Sequence, residues 1–182
     1  MRVFIGLLLS SFIGALTPVS SLSAEPALNE VGIRMGIQDG SRPGHFRNFE
    51  AIAARRLPWD LRASSGWGVV PQVTASLGLL EGAGNQGFSG SAGIAFVLDK
   101  NGPGVSTEIG LSSNLLNRRR FGSMDFGSAL QFVSHIGLSY RFDNGLKIGY
   151  RWQHMSNGHL VYSEDTPNPG LDMHLLGISY VF

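Results

Sequence analysis

The chain has 182 residues, 14 Lys and Arg against 13 Asp and Glu, a formal net charge of +1 and no cysteine. That balance excludes a strong electrostatic preference for nucleic acid, and the missing cysteines exclude disulfides and thiol chemistry. Glycine at 25 residues, aromatics at 10% and charged residues at only 15% fit a closed sheet better than an all-helical secreted protein.

The first segment, Met1-Arg2-Val3 followed by an apolar run from Phe4 to Leu16, reads as a secretory signal peptide with a basic start and a short apolar stretch. Small residues Ser21, Ser23 and Ala24 follow, and cleavage is expected after Ala24, leaving residues 25–182 as one domain. The apolar run is shorter than the roughly 20 residues a spanning helix needs, and no later segment is long and apolar enough for one. Alternation between turn signals instead predicts eight strands: Val31–Gln38, His45–Arg56, Gly68–Leu79, Phe88–Leu98, Gly104–Ser112, Phe126–Phe142, Leu146–Asn157 and Leu171–Phe182. The pattern is that of an all-β, eight-stranded antiparallel transmembrane β-barrel of the outer-membrane type.

In the sixth segment, Phe126, Ser128, Leu130, Phe132, Ser134, Ile136, Leu138, Tyr140 and Phe142 share one face, expected to point outward. Gln131, His135, Ser139 and Arg141 share the other, and His135 is expected in a polar interior network. Asp143-Asn144-Gly145 then turns the chain. A two-residue turn would pair Asp143 with Leu146, which face opposite sides; a three-residue loop pairs Phe142 with Leu146 and puts Gly145 at a left-handed bulge position. With the mature amino terminus on the periplasmic side, eight strands make this turn periplasmic. The outward loops are then Asp39–Gly44, Leu80–Gly87, Ser113–Asp125 and Gly158–Gly170.

The seventh segment puts Leu146, Ile148, Tyr150, Trp152, His154 and Ser156 on its apolar, outward side, against Lys147, Gly149, Arg151 and Gln153. At a rise of about 3.3 Å per residue and a tilt near 45°, His154 lies roughly 20 Å up the wall, at the outer interface. A serine hydroxyl becomes a nucleophile when a base within reach takes its proton and an acid orients that base. His154 and Ser156 are same-face neighbours and meet the first demand. In the eighth segment, Leu176, Ile178, Tyr180 and Phe182 point outward and Gly177 and Ser179 inward. Asp172 has the outward parity and lies opposite His154 if Gly170 opposes Ser156. Glu164 and Asp165, in the intervening loop, are rival acids without a strand's register. Asn157 and Asn168 side chains, or a backbone amide near Gly158, are candidate donors to a tetrahedral oxyanion. His174, also outward beside Asp172, is either a second partner of the acid or a belt residue, the latter being preferred. Trp152, Tyr150, Tyr180 and Phe182 read as an aromatic girdle, and the closing aromatic resembles the assembly signal of outer-membrane barrels.

The run His154-Met155-Ser156-Asn157, with Pro167-Asn168-Pro169-Gly170-Leu171-Asp172 downstream, resembles the PagL family of outer-membrane lipid A 3-O-deacylases. The rest of the chain matches that family in barrel length, signal peptide and alternation. The family's acid is usually glutamate, whereas position 172 is aspartate, one methylene shorter. The resemblance implies a barrel with its active site on the lipid-facing surface and lipopolysaccharide as substrate. Ser156 would attack the ester at position 3 of a lipid A glucosamine, with His154 as base. Arg118, Arg119 and Arg120, in the third outward loop, would pair with lipid A phosphates; the alternative for them is a solvated basic loop. No metal or cofactor enters this route. Two other readings stay open: a non-enzymatic structural or adhesive barrel, and an acyltransferase that hands the acyl group to another lipid instead of water.

Overall fold

The computed structural model describes residues 28–40, 44–59, 61–160 and 162–182, so the expected leader Met1–Ala24 lies outside the described residues. Alternating sequence folds into β1 (Glu30–Gln38), β2 (Arg47–Arg56), β3 (Leu61–Arg62), β4 (Trp67–Gly82), β5 (Asn85–Lys100), β6 (Gly104–Leu116), β7 (Arg120–Phe121), β8 (Met124–Asp125), β9 (Leu130–Arg141), β10 (Leu146–Ser156) and β11 (Leu171–Val181). The eight long strands pair antiparallel in the order β1, β2, β4, β5, β6, β9, β10, β11, and β11 returns to β1. The expected eight-stranded barrel is therefore closed. Closure pairs the backbone of every long strand on both sides, which removes the edges that an apolar surface would otherwise leave open to association. The short β3 extends the sheet along the start of β4, and β7 and β8 form a small hairpin between β6 and β9.

Side-chain parity divides the wall. Met35, Ile37, Leu77, Ile109, Leu111, Ile136, Leu138, Leu176 and Ile178 are exposed on the outside, while Arg34, Ser76, Ser112, His135 and Ser179, one step along the same strands, are buried within. The lumen is polar and holds matched pairs of opposite charge. Arg34 meets Glu50 at 3.0 Å, Arg151 meets Glu108 at 2.6 Å and Lys147 meets Glu30 at 2.6 Å. His135 joins this network 3.8 Å from Glu108, as its parity requires. Inward glycines make room for it: a Cβ on Gly110 would lie 2.5 Å from the His135 ring.

The turn at Asp143–Gly145 takes the three-residue form. Phe142 N–H donates to Leu146 O at 2.8 Å, Gly145 N–H donates back to Phe142 O at 3.1 Å, and Gly145 has φ of 84°. Other boundaries differ from expectation. The stretch Leu80–Gly87, expected as a loop, is mostly strand: β4 and β5 continue to a two-residue turn in which Ala83 and Gly84 have φ of 49° and 73°. Two consecutive positive φ values match the right-handed strand twist and close a hairpin tightly, although Ala83 is an uncommon residue there. Likewise β6 runs on to Leu116 rather than stopping at Ser112.

The sixth segment needs a larger correction. The strand starts at Leu130, and Phe126 and Ser128 are buried, not outward. Gly127 between them has φ of 75°, which breaks the extended geometry on which the parity count depended. Phe126 instead packs edge-on against Phe46 and Phe121, with ring centroids 5.8 and 5.9 Å away, and Phe46 and Phe121 are 5.4 Å apart. With Leu80, Leu116, Met155 and Leu171 these rings form one buried cluster that plugs the barrel at its long-loop end. Gly82 is required there, since a Cβ on it would sit 2.4 Å from the Phe46 ring.

Candidate active site

The β10–β11 hairpin carries the outward polar residues. Its register sets His154 opposite Asp172, and on the other side β9 sets Ser134 opposite His154 and Phe132 opposite Ser156. His154 Nδ1 and Asp172 Oδ1 are 2.7 Å apart, with the two side chains 39% and 24% exposed. A carboxylate only accepts, so Nδ1 carries a proton, and in the neutral ring Nε2 is then the acceptor. Ser156, two residues on and half-buried on the same side, has a hydroxyl without a hydrogen bond to any described residue. The hydroxyl and the imidazole lone pair thus share one patch of wall. Catalytic contacts of this type commonly tighten only when substrate arrives. Glu164 and Asp165 are exposed in the loop and make no contact with the ring.

The polar loop residues separate into two sets. Asn157 is fully buried: the alternation that turns Ser156 outward turns the next residue inward. Its Nδ2 donates to Pro167 O at 2.9 Å and Phe126 O at 3.3 Å, and its Oδ1 accepts from His159 N–H at 3.0 Å. In the structure the amide knots the β10–β11 loop to the aromatic plug. Asn168 is differently placed. Its Oδ1 accepts from Asn157 N–H at 3.0 Å, which fixes the amide, and its Nδ2 donates to no described residue. Gly158 and His159 have φ of 60° and 51° and reverse the chain directly after the serine, so the Gly158 N–H is held in a rigid turn.

The three arginines lie around the β7–β8 hairpin, all exposed and each with an internal partner. Arg120 Nε donates to Asp125 at 2.6 Å, Arg119 to Gly127 O at 3.3 Å and Arg118 to Asn85 Oδ1 at 3.0 Å. Arg120 holds the Asp125 carboxyl below the usual carboxylate range, helped by the Gly127 N–H. Gly127 in turn abuts the β10–β11 loop, where a Cβ on it would meet Pro167 O at 2.1 Å. The basic rim and the hairpin site are therefore neighbours.

Three residues were read differently or not at all from the sequence. His174 does not join Asp172; its Nε2 lies 3.3 Å from Asp39 Oδ1, and its Nδ1 lies 2.5 Å from the Tyr150 hydroxyl. The Tyr150 and His174 rings stack with centroids 5.9 Å apart. Asp39 extends the outward parity of Ile33, Met35 and Ile37, a signal that was available but masked by its place at the start of a loop.

The family model for "Lipid A 3-O-deacylase (PagL)" matches residues 49–181 of this chain. The lipid A deacylase PagL of Bordetella bronchiseptica is 27% identical over 167 residues, covering 90% of this chain and 89% of that protein. The lipid A deacylase PagL of Pseudomonas aeruginosa is 32% identical over 98 residues, covering 53% of each. In fold, the chain superposes on a crystal structure of the outer membrane enzyme PagL with a TM-score of 0.71 at 22% identity, covering 84% of this chain and 99% of that one.

Proposed function

This chain belongs to the PagL family of lipid A 3-O-deacylases, and from that premise we propose that Ser156, His154 and Asp172 are its nucleophile, base and orienting acid. The protein is an ester hydrolase of the outer membrane that removes the 3-O-linked acyl chain of lipid A. The observation that carries the assignment of residues is the 2.7 Å contact between His154 Nδ1 and Asp172 Oδ1, made on the outward wall beside Ser156. A lipid in the outer leaflet reaches that wall directly, without entering the lumen.

In the reaction, Ser156 Oγ attacks the ester carbonyl while its proton passes to His154 Nε2. The tetrahedral intermediate collapses, the glucosamine 3-oxygen leaves with the proton from His154, and the hydroxyacyl group remains on Ser156. His154 then takes a proton from water, whose oxygen attacks the acyl-serine, and the hydroxy fatty acid departs as Ser156 is reprotonated. Asp172 holds the ring and stabilises its charged form, as the acid of a Ser-His-acid site does. The shorter acid still reaches, because directly opposed cross-strand residues have Cβ atoms about 4.5–5.5 Å apart. Asn168 Nδ2 and the Gly158 N–H are the oxyanion donors in this reading. Arg118, Arg119 and Arg120 offer their remaining N–H groups to lipid A phosphates. We also propose that Met1–Ala24 is removed on export, leaving residues 25–182 as the working barrel.

Mass spectrometry of lipid A from cells expressing the protein tests this. Loss of one 3-hydroxyacyl chain is expected with the native chain, and none with Ser156→Ala or His154→Ala. Unchanged lipid A with folded native protein would overturn the hydrolase assignment, and an acyl group gained by another lipid would replace it with a transferase.

A further inference from the structure

The outward wall holds two aspartates where one orienting acid is required. Asp39 follows the last paired residue of β1, Gln38, whose partner is Met173, so it stands across from Asp172. Its N–H donates to Asp172 O at 2.8 Å, which fixes that alignment. Both residues have outward parity, and like charges directly opposite on one sheet face destabilise it. At the edge of hydrocarbon, where the effective dielectric is well below that of water, such repulsion grows.

His174 answers this. Its Nε2 lies 3.3 Å from Asp39 Oδ1, and because the carboxylate only accepts, that nitrogen carries the proton. Nδ1 of the neutral ring is then the acceptor, and Tyr150 donates to it at 2.5 Å while stacking on the ring. The result is a second carboxylate–imidazole–hydroxyl chain, Asp39–His174–Tyr150, beside Asp172–His154 with Ser156. Neither chain shares a side-chain hydrogen bond with the other among the described residues. We propose that His174 is a positioning residue for the deacylase reaction: it draws the Asp39 charge to itself and so reserves Asp172 for His154. This rests on the assignment of Ser156, His154 and Asp172 given above.

The test uses the full-length protein refolded in detergent, with purified lipopolysaccharide as substrate and heat-modifiable gel migration as the check of folding. His174→Ala is expected to lower kcat about tenfold with little change in KM, a loss well short of the 10²–10⁴-fold typical of removing a general base outright. His174→Gln, which keeps an N–H donor near the Nε2 position, should stay within about threefold of the native rate. Asp39→Asn combined with His174→Ala should recover most of the lost rate, since the charge that needed restraint is gone. A double variant as slow as His174→Ala, or a His174→Ala protein with native kcat, overturns the proposal. Ser156→Ala run in parallel separates the two levels: if it stays active, the underlying site assignment fails, whatever His174 does.

Discussion

The two faces of the β10–β11 hairpin put polar residues to opposite uses. Inward, Lys147 and Arg151 are matched with Glu30 and Glu108 at 2.6 Å, and Ser179 donates to Glu30 at 2.7 Å. Outward, His154, Ser156, Asp172 and His174 stand half exposed among Tyr150, Trp152, Leu176 and Ile178. In the lumen Arg34, Lys147 and Arg151 each have a neighbour of opposite sign, so polarity there holds the wall together. Toward lipid, a polar group costs free energy unless it is paired, and the hydroxyl of the proposed nucleophile has no hydrogen bond to any described residue. On the proposed assignment, polarity inside the barrel serves stability and polarity outside it serves chemistry.

If that division holds, the largest effect belongs outside. Ser156→Ala should lower the deacylation rate by about 10⁴-fold or more, as loss of a nucleophile does elsewhere, with unchanged gel migration and circular dichroism. Next in size is an inward change. Glu108→Ala leaves Arg151 without its acid and should destabilise the barrel by about 3–5 kcal/mol. Urea titration in lipid vesicles would measure this, and the folded fraction should keep its kcat. A comparable loss of activity per folded molecule would break the comparison.

The plug joins the two faces and is the place to sharpen the distinction. Phe126→Ala should cost about 3–5 kcal/mol for a buried aromatic. It should also slow deacylation, because losing the ring unseats the backbone whose Phe126 carbonyl anchors Asn157 and through it the turn behind Ser156. A variant destabilised but fully active would detach the plug from the site. The smallest effect is expected at the rim, where Arg120→Gln should raise KM a few-fold without altering kcat, as an exposed guanidinium contributes little. The Arg120–Asp125 pair should be insensitive to pH across the neutral and mildly acidic range. Asp125 is held below the usual carboxylate value, so the pairing is complete above the unfolded value and is lost only as pH falls through the lowered one. Rim accessibility to an arginine-modifying reagent, compared between pH 5 and pH 8, would check this.

Much of the site was legible because a strand repeats every two residues. His154, Ser156 and Asp172 could be placed on one side by counting, and the parity of Phe142 and Leu146 chose the turn that sets their height. The count failed where a residue left the extended region: Gly127 shifted Phe126 and Ser128 from the outer wall into the plug. The alternation that turned Ser156 outward also turned Asn157 inward, against the loop it anchors.

By itself the sequence determined the closed eight-stranded barrel, the outward position of the His-Ser-Asp set and the hairpin that joins its members. All of these follow from a local period of two and from short connections. Tertiary structure alone decided which polar groups meet across distant strands. Asp39 and His174 are brought together because β11 pairs with β1 to close the barrel, and Phe46, Phe121 and Phe126 meet because the β1–β2 and β6–β9 connections fold over one mouth. Such contacts join residues far apart in the chain, and no local pattern records the closure that makes them neighbours.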